Sequence, residues 1–128
     1  MKQPFVLNKR KIIVSAEIKG IVTARSFDFI VDTGASKSII DEGVAVVLGF
    51  DLRKLENERL TTVGGGKNSK LLKLPKFSLL GKDMVNFEVN VVDFPPQIMY
   101  FADGLIGMDF LLQFENIKFD FDKKIIET

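Results

Sequence analysis

The chain predicts an all-β fold, a small closed β-barrel with one or two short helices. Three observations lead there. Short runs with apolar residues at every second position recur along the 128 residues, the period of a half-buried strand. Glycine- and proline-bearing turns separate those runs. Only the stretches 44–48 and 108–113 are patterned as helices, and both are short. At this length one domain, residues 1–128, is the natural count, and it can bury a core without disulfides.

The first strand is Ile12, Val14, Ala16 and Ile18 alternating with Ile13, Ser15, Glu17 and Lys19. Gly20 lets the chain turn, and Arg25 to Val31 returns with Phe27, Phe29 and Val31 on one face. This hairpin delivers Asp32 at its end. Ser38-Ile39-Ile40 is a short strand. Asp41 is a helix N-cap, Val44 to Leu48 a buried helix, and Gly49 its C-cap, with Phe50 packing back. Residues 51–59 are charged and exposed.

Leu60 to Val63 predicts a strand, Gly64 to Ser69 a mobile turn, and Lys70 to Leu74 the return. Pro75 limits further pairing inside a sheet. Phe77 to Leu80 and Asn86 to Val92 form another hairpin across Gly81-Lys82-Asp83. Pro95-Pro96 interrupts the pattern. Ala102 to Gly107 is an apolar strand, and Met108 to Gln113 a short helix. Ile117, Phe119 and Phe121 alternate with Lys118, Asp120 and Asp122, and Lys123-Lys124 turns the chain into Ile125-Ile126.

Composition removes several function classes. The net charge is +1 without a basic stripe, which takes away the electrostatic case for nucleic acid. Cysteine and histidine are both absent, so Ser-His and Cys-His catalysis and thiolate chemistry are excluded. No metal site and no cofactor are expected. No apolar run is long enough for a signal peptide or a membrane span. The expected compartment is the cytosol, unless the chain is excised from a longer membrane-tethered parent.

Phe29-Ile30-Val31-Asp32-Thr33-Gly34-Ala35-Ser36 is the stretch richest in chemistry. A carboxylate at the end of an apolar strand is costly to ionise unless it is hydrogen-bonded, paired or used. One carboxylate cannot readily both accept a proton from water and give one to a leaving amine. Two that share a proton can. Since the motif occurs once, a two-fold axis between two copies of Asp32 would supply the second. Gly34 permits a close backbone approach and can aim its N–H at the carboxylate. Thr33 can turn its hydroxyl toward the opposite subunit. Ala35 and Ser36 are small enough to leave room for substrate.

This stretch resembles the active-site segment of the retropepsin-like aspartic proteases. Asp103-Gly104-Leu105-Ile106-Gly107-Met108-Asp109-Phe110-Leu111 is similar to that family's second signature. The order of elements also matches over residues 11 to 127. The resemblance implies a symmetric homodimer in which Asp32 is catalytic and Thr33 and Gly34 support the dyad. It implies a flap tipped by Gly64, Gly65 and Gly66, closing over an extended peptide. Substrate-binding residues would be Ala35, Ser36, Val63, Gly64, Gly65, Gly66 and Ile106, and Gly107 would let its strand pass beneath the active-site turn. Retroviral members often pair an acidic residue, where Ser36 stands, with an Arg where Met108 stands. Both are missing here, which points to a cellular or bacterial relative. Ala35 stands where pepsin-like enzymes often carry a Ser bonded to the catalytic carboxylate, so activity is expected at mildly acid to neutral pH.

Other uses of these residues compete. Asp32 could be a plain turn residue. Asp103-Gly104 is read as a turn rather than a second catalytic site, because no Thr or Ser follows. Gly64-Gly65-Gly66-Lys67 lacks the earlier Gly and the Ser/Thr of a phosphate loop. Asp109, Asp120 and Asp122 are read as a strand's solvent face rather than a calcium site. Phe94 and Phe101 could line an apolar cleft. The alternative function is an inactive peptide-binding or dimerisation module of the same fold; a third is a processing domain acting on its own parent chain.

Overall fold

A computed structural model describes residues 1–62 and 64–128, with Thr62 described by its backbone only. Eleven strands appear among these residues: β1 (Lys2–Pro4), β2 (Val6–Asn8), β3 (Lys11–Lys19), β4 (Ala24–Val31), β5 (Ile39–Asp41), β6 (Glu56–Thr62), β7 (Gly65–Leu79), β8 (Lys82–Val92), β9 (Gly104–Ile106), β10 (Lys118–Asp120) and β11 (Ile125–Glu127). Three short helices join them: α1 (Glu42–Val47), α2 (Pro96–Met99) and α3 (Met108–Leu111). The main sheet runs β2-β3-β4-β9-β5-β8-β7-β6. A further pairing, Glu17↔Ser78, Ile18↔Phe77 and Lys19↔Lys76, joins β7 back to β3. The six strands from β3 round to β7 therefore close a ring, with β2 and β6 outside it.

Alternation along β3 and β4 fills that ring. Val14, Ala16 and Ile18 are buried, as are Phe27 and Phe29 opposite them, while Ser15, Glu17 and Lys19 are exposed. The centre is aromatic. Phe77 packs edge-on against Phe29 at 5.5 Å and Phe110 at 5.4 Å, and tilted against Phe87 at 5.2 Å. Phe94 belongs to the buried set as well, not to an apolar cleft.

The helix between β5 and the charged segment forms as its caps dictate. Asp41 accepts from the Gly43 N–H at 2.9 Å. At the far end Gly49 has φ +96°. Its N–H reaches the Val46 carbonyl and that of Phe50 the Ala45 carbonyl, both at 3.0 Å. This paired closure needs a left-handed residue, which glycine adopts without a Cβ clash.

Three expectations change. Gly64 to Ser69 is not a long mobile turn: Gly64 alone of these residues lies in a turn, and Gly65 opens a strand of 15 residues. Its partner starts earlier than expected, at Glu56 rather than Leu60, because Glu56↔Leu71 through Thr62↔Gly65 form one antiparallel ladder. Pro75 sits inside β7, between the half that pairs β6 and the half that pairs β3. Neither neighbouring ladder includes it, yet the strand continues through it.

The first ten residues, for which no strands were expected, form β1 and β2. β1 pairs β11, and β11 pairs β10, in a separate three-stranded sheet.

Candidate active site

Asp32 stands where β4 leaves the barrel. Phe29↔Gly104, Ile30↔Leu105 and Val31↔Ile106 lay β9 parallel to β4, and the Asp32 N–H continues this contact to the Ile106 carbonyl at 2.8 Å. Gly34 donates its N–H to Asp32 Oδ1 at 2.9 Å. A Cβ on Gly34 would come within 3.2 Å of that oxygen, a tight contact. Asp32 is half-buried, and Thr33, Gly34 and Ser36 are exposed. Among the described residues no lysine or arginine forms an ion pair with Asp32.

The turn is bolted to the second signature. Met108 donates its N–H to the Ala35 carbonyl at 2.8 Å, and Asp109 donates to the Ser36 carbonyl at 3.1 Å. Buried Ser38 is the hub beneath. Its N–H and hydroxyl donate to the Asp109 carboxylate at 3.0 and 2.7 Å, and its Oγ accepts from the Gly107 N–H at 3.0 Å. Asp109 is thus an internal clamp on α3, not part of a strand's solvent face. Gly107 passes so close under the turn that a Cβ would meet the Ala35 carbonyl oxygen at 2.7 Å and the Lys37 carbonyl at 2.8 Å.

A cleft of about 310 Å³ opens beside Asp32. Gly34, Ala35 and Ser36 line it from the turn, with Lys37 and Ile39 following and Leu105 from β9. Leu60 and Thr61 line it from β6 of the hairpin. Ala35 and Ser36 thus line the cleft beside Asp32. Gly64 is exposed at the hairpin turn, and Gly65 and Gly66 pair with Thr62 and Thr61 in its ladder. Expected binding residue Val63 lies outside the described residues.

Ile106 requires correction: it is fully buried in the core, and Leu105 faces the cleft instead. Successive side chains of a strand point to opposite faces, so one step in register exchanges the two. Leu60, Thr61, Ile39 and Lys37 were also not anticipated; no local motif marks them, since three distant segments meet only after the barrel closes.

Lys37 ties the cleft to the hairpin, its Nζ lying 3.6 Å from Glu58 and 3.4 Å from Glu88. Buried Asn90 donates from Nδ2 to Glu58 Oε1 at 3.1 Å and to Ser69 Oγ at 3.0 Å. The Asn90 hydrogen bond, with smaller help from the Lys37 charge, holds the Glu58 carboxyl below its ordinary range, against a contrary push from desolvation. Asp103, just before β9, spends its carboxylate on the Asp28 N–H at 3.0 Å, as befits a structural turn.

A family model described as aspartyl protease matches residues 14–110. The chain belongs to the aspartyl protease family. The match spans the first signature segment, the hairpin, and the second signature as far as Phe110. The fold of this family member is also similar to that of a retropepsin-like aspartic protease from Rickettsia conorii. There the identity is 25% and the TM-score 0.74, covering 98% of this chain and 88% of that one. The EIAV protease in complex with the inhibitor HBY-793 shares the fold at 18% identity and a TM-score of 0.62, over 80% of this chain and 86% of that one. No curated protein gives a significant sequence match. Among the described residues no cluster of acidic side chains could hold a metal ion, and no helix is long and apolar enough to cross a membrane.

Proposed function

We propose that this chain is an aspartic endopeptidase that works as a symmetric homodimer. One observation carries the reading: among the described residues lining the cleft, Asp32 is the single carboxylate, and it sits on an exposed turn without a cationic partner in its own chain. A second copy meeting the first at this turn supplies the missing group. Two carboxylates sharing one proton then divide the work. The ionised one takes a proton from a water molecule as its oxygen attacks the scissile carbonyl carbon. The protonated one donates to the carbonyl oxygen, giving a gem-diol. Collapse breaks the C–N bond, and the nitrogen leaves with a proton from the dyad.

The Gly34 N–H and the carbonyl contacts beneath the turn support the arrangement by fixing where Asp32 Oδ1 points. The substrate binds extended between the hairpin and the cleft, as an added strand. Leu60, Ile39 and Leu105 favour apolar side chains near the cut.

Digestion of casein or a peptide library by wild type and Asp32→Asn tests the reading. Loss of cleavage in the variant, and inhibition of wild type by a statine-type compound, is the expected result. Equal cleavage by both proteins sinks it. So does a strict monomer by sedimentation at concentrations where wild type is fully active.

A further inference from the structure

We propose that Lys9, Arg10 and Lys11 form a cationic rim on the cleft, selecting extended peptides that carry Asp or Glu a few residues from the cut bond. This deepens the endopeptidase reading and rests on it. Placement is the first argument. β3 pairs β4 with Ile13 opposite Ile30. That is the last pair of the ladder; Lys11 lies two residues beyond it on β3, and Asp32 two residues beyond it after β4. The β2–β3 tip, where Asn8 pairs Lys11, therefore lies at the end of the sheet that carries the candidate catalytic carboxylate.

Backbone conformation is the second, independent argument. The two residues joining β2 to β3 are Lys9 with φ +47° and Arg10 with φ +64°. A two-residue hairpin turn with both φ values positive is the place where Asn-Gly is most stable. This chain keeps two cations there, in a backbone region that L-residues with a Cβ enter at a cost. That cost is the ground for asking what the two cations do there.

The side chains supply the third argument. Lys11 Nζ lies 4.6 Å and Lys9 Nζ 5.9 Å from the centre of the Phe101 ring, which steers both ammonium groups. Phe101 precedes β9, the strand that sends Leu105 into the cleft. Among the described residues none of the three cations forms an ion pair. The nearby Asp103 carboxylate is engaged by the Asp28 N–H. Lys9 and Arg10 are exposed. A strand residue advances about 3.3 Å, so charges at the tip suit substrate side chains roughly two to four residues from the cleaved bond.

The test uses two peptides identical except for Glu against Gln at those positions, cut by wild type and by the double variant Lys9→Asn with Arg10→Gly. Wild type is expected to prefer the Glu peptide in kcat/KM by about tenfold at low salt, mainly through KM, with the preference fading as salt rises. In the double variant the preference falls toward one, while its melting temperature stays level or rises because the turn is relieved. A second variant, Lys11→Gln, leaves the turn residues in place and is expected to weaken the preference in part.

Equal cleavage of the two peptides by wild type overturns the proposal while leaving the endopeptidase reading intact. An undiminished preference in the double variant does the same. A double variant that dissociates into monomers with its selectivity unchanged assigns the cations to the subunit contact instead. Cleavage of neither peptide, or of any library peptide, by wild type brings down both readings.

Discussion

The Ser38 hydroxyl donates a 2.7 Å hydrogen bond to Asp109 Oδ1, and this contact joins the residues just after the Asp32 turn to the second signature segment across 71 residues of chain. Ser38 is buried and also accepts from the Gly107 N–H. Ser36 and Met108, where retroviral members often pair an acid with an arginine, form no ion pair in this chain. The Ser38–Asp109 contact, with the backbone bonds from Met108 and Asp109, holds the turn against α3 instead.

Replacing Asp109 by Ala removes the acceptor for both Ser38 donors and strands them in the interior. A hydrogen bond to a charged group contributes about 1.5–3 kcal/mol, so the variant is expected to lose about 3 kcal/mol in urea unfolding. Asp109→Asn keeps the shape and one acceptor and is expected to lose less. An Asp109→Ala protein as stable as wild type would show that the clamp does not hold the turn.

Gly107→Ala drives a methyl group into the Ala35 and Lys37 carbonyls, both backbone atoms below 3.0 Å. Neither is a flexible side-chain end that can swing aside. The expected cost is about 1–3 kcal/mol, together with a fall in proteolysis larger than the stability loss explains, because the displaced backbone carries Asp32. Thermal melts and casein digestion at a temperature where the variant stays folded measure the two effects.

Glu58 gives a pH dependence to the hairpin. Its folded carboxyl is held below the ordinary glutamate range, chiefly by Asn90. A carboxyl depressed in the folded state contributes stability above its unfolded pKa and loses it as pH falls through the folded one. Hydrogen exchange in β6 and the start of β7 is therefore expected to quicken as pH drops below the glutamate range, once corrected for intrinsic exchange. Glu58→Gln should flatten that response; an identical response in both proteins would assign it to another group.

Phe77 lies at the centre of the core, touching Phe29, Phe87 and Phe110. Phe77→Ala is expected to cost about 3–5 kcal/mol, while Phe77→Leu, which leaves a smaller void, costs less. Chemical denaturation of the pair checks the order.

Where the information is local, the residues announce the structure. Asp41 and Gly49 bracket α1 because a cap needs only a side-chain acceptor at one end and a left-handed residue at the other. The β3–β4 hairpin and its delivery of Asp32 follow from period-two alternation. Other features escape for equally physical reasons. Lys2–Pro4 is too short to show a period, and its partner β11 lies at the other end of the chain. Gly65 to Ser69 looks like a turn because glycine has poor strand propensity; the ladder to β6 overrides it.

The amino-acid order by itself determined the all-β class, the two signature segments, the absence of histidine and cysteine chemistry, and the position of Asp32 at a strand end. All of these depend on neighbours within a few residues. The tertiary structure decided that Leu105 rather than Ile106 meets the cleft, that Lys37, Leu60 and Thr61 join it, and that Ser38 and Asp109 clamp it. Those contacts depend on register and ring closure between strands far apart in the chain, where a one-residue step reverses which side chain faces inward.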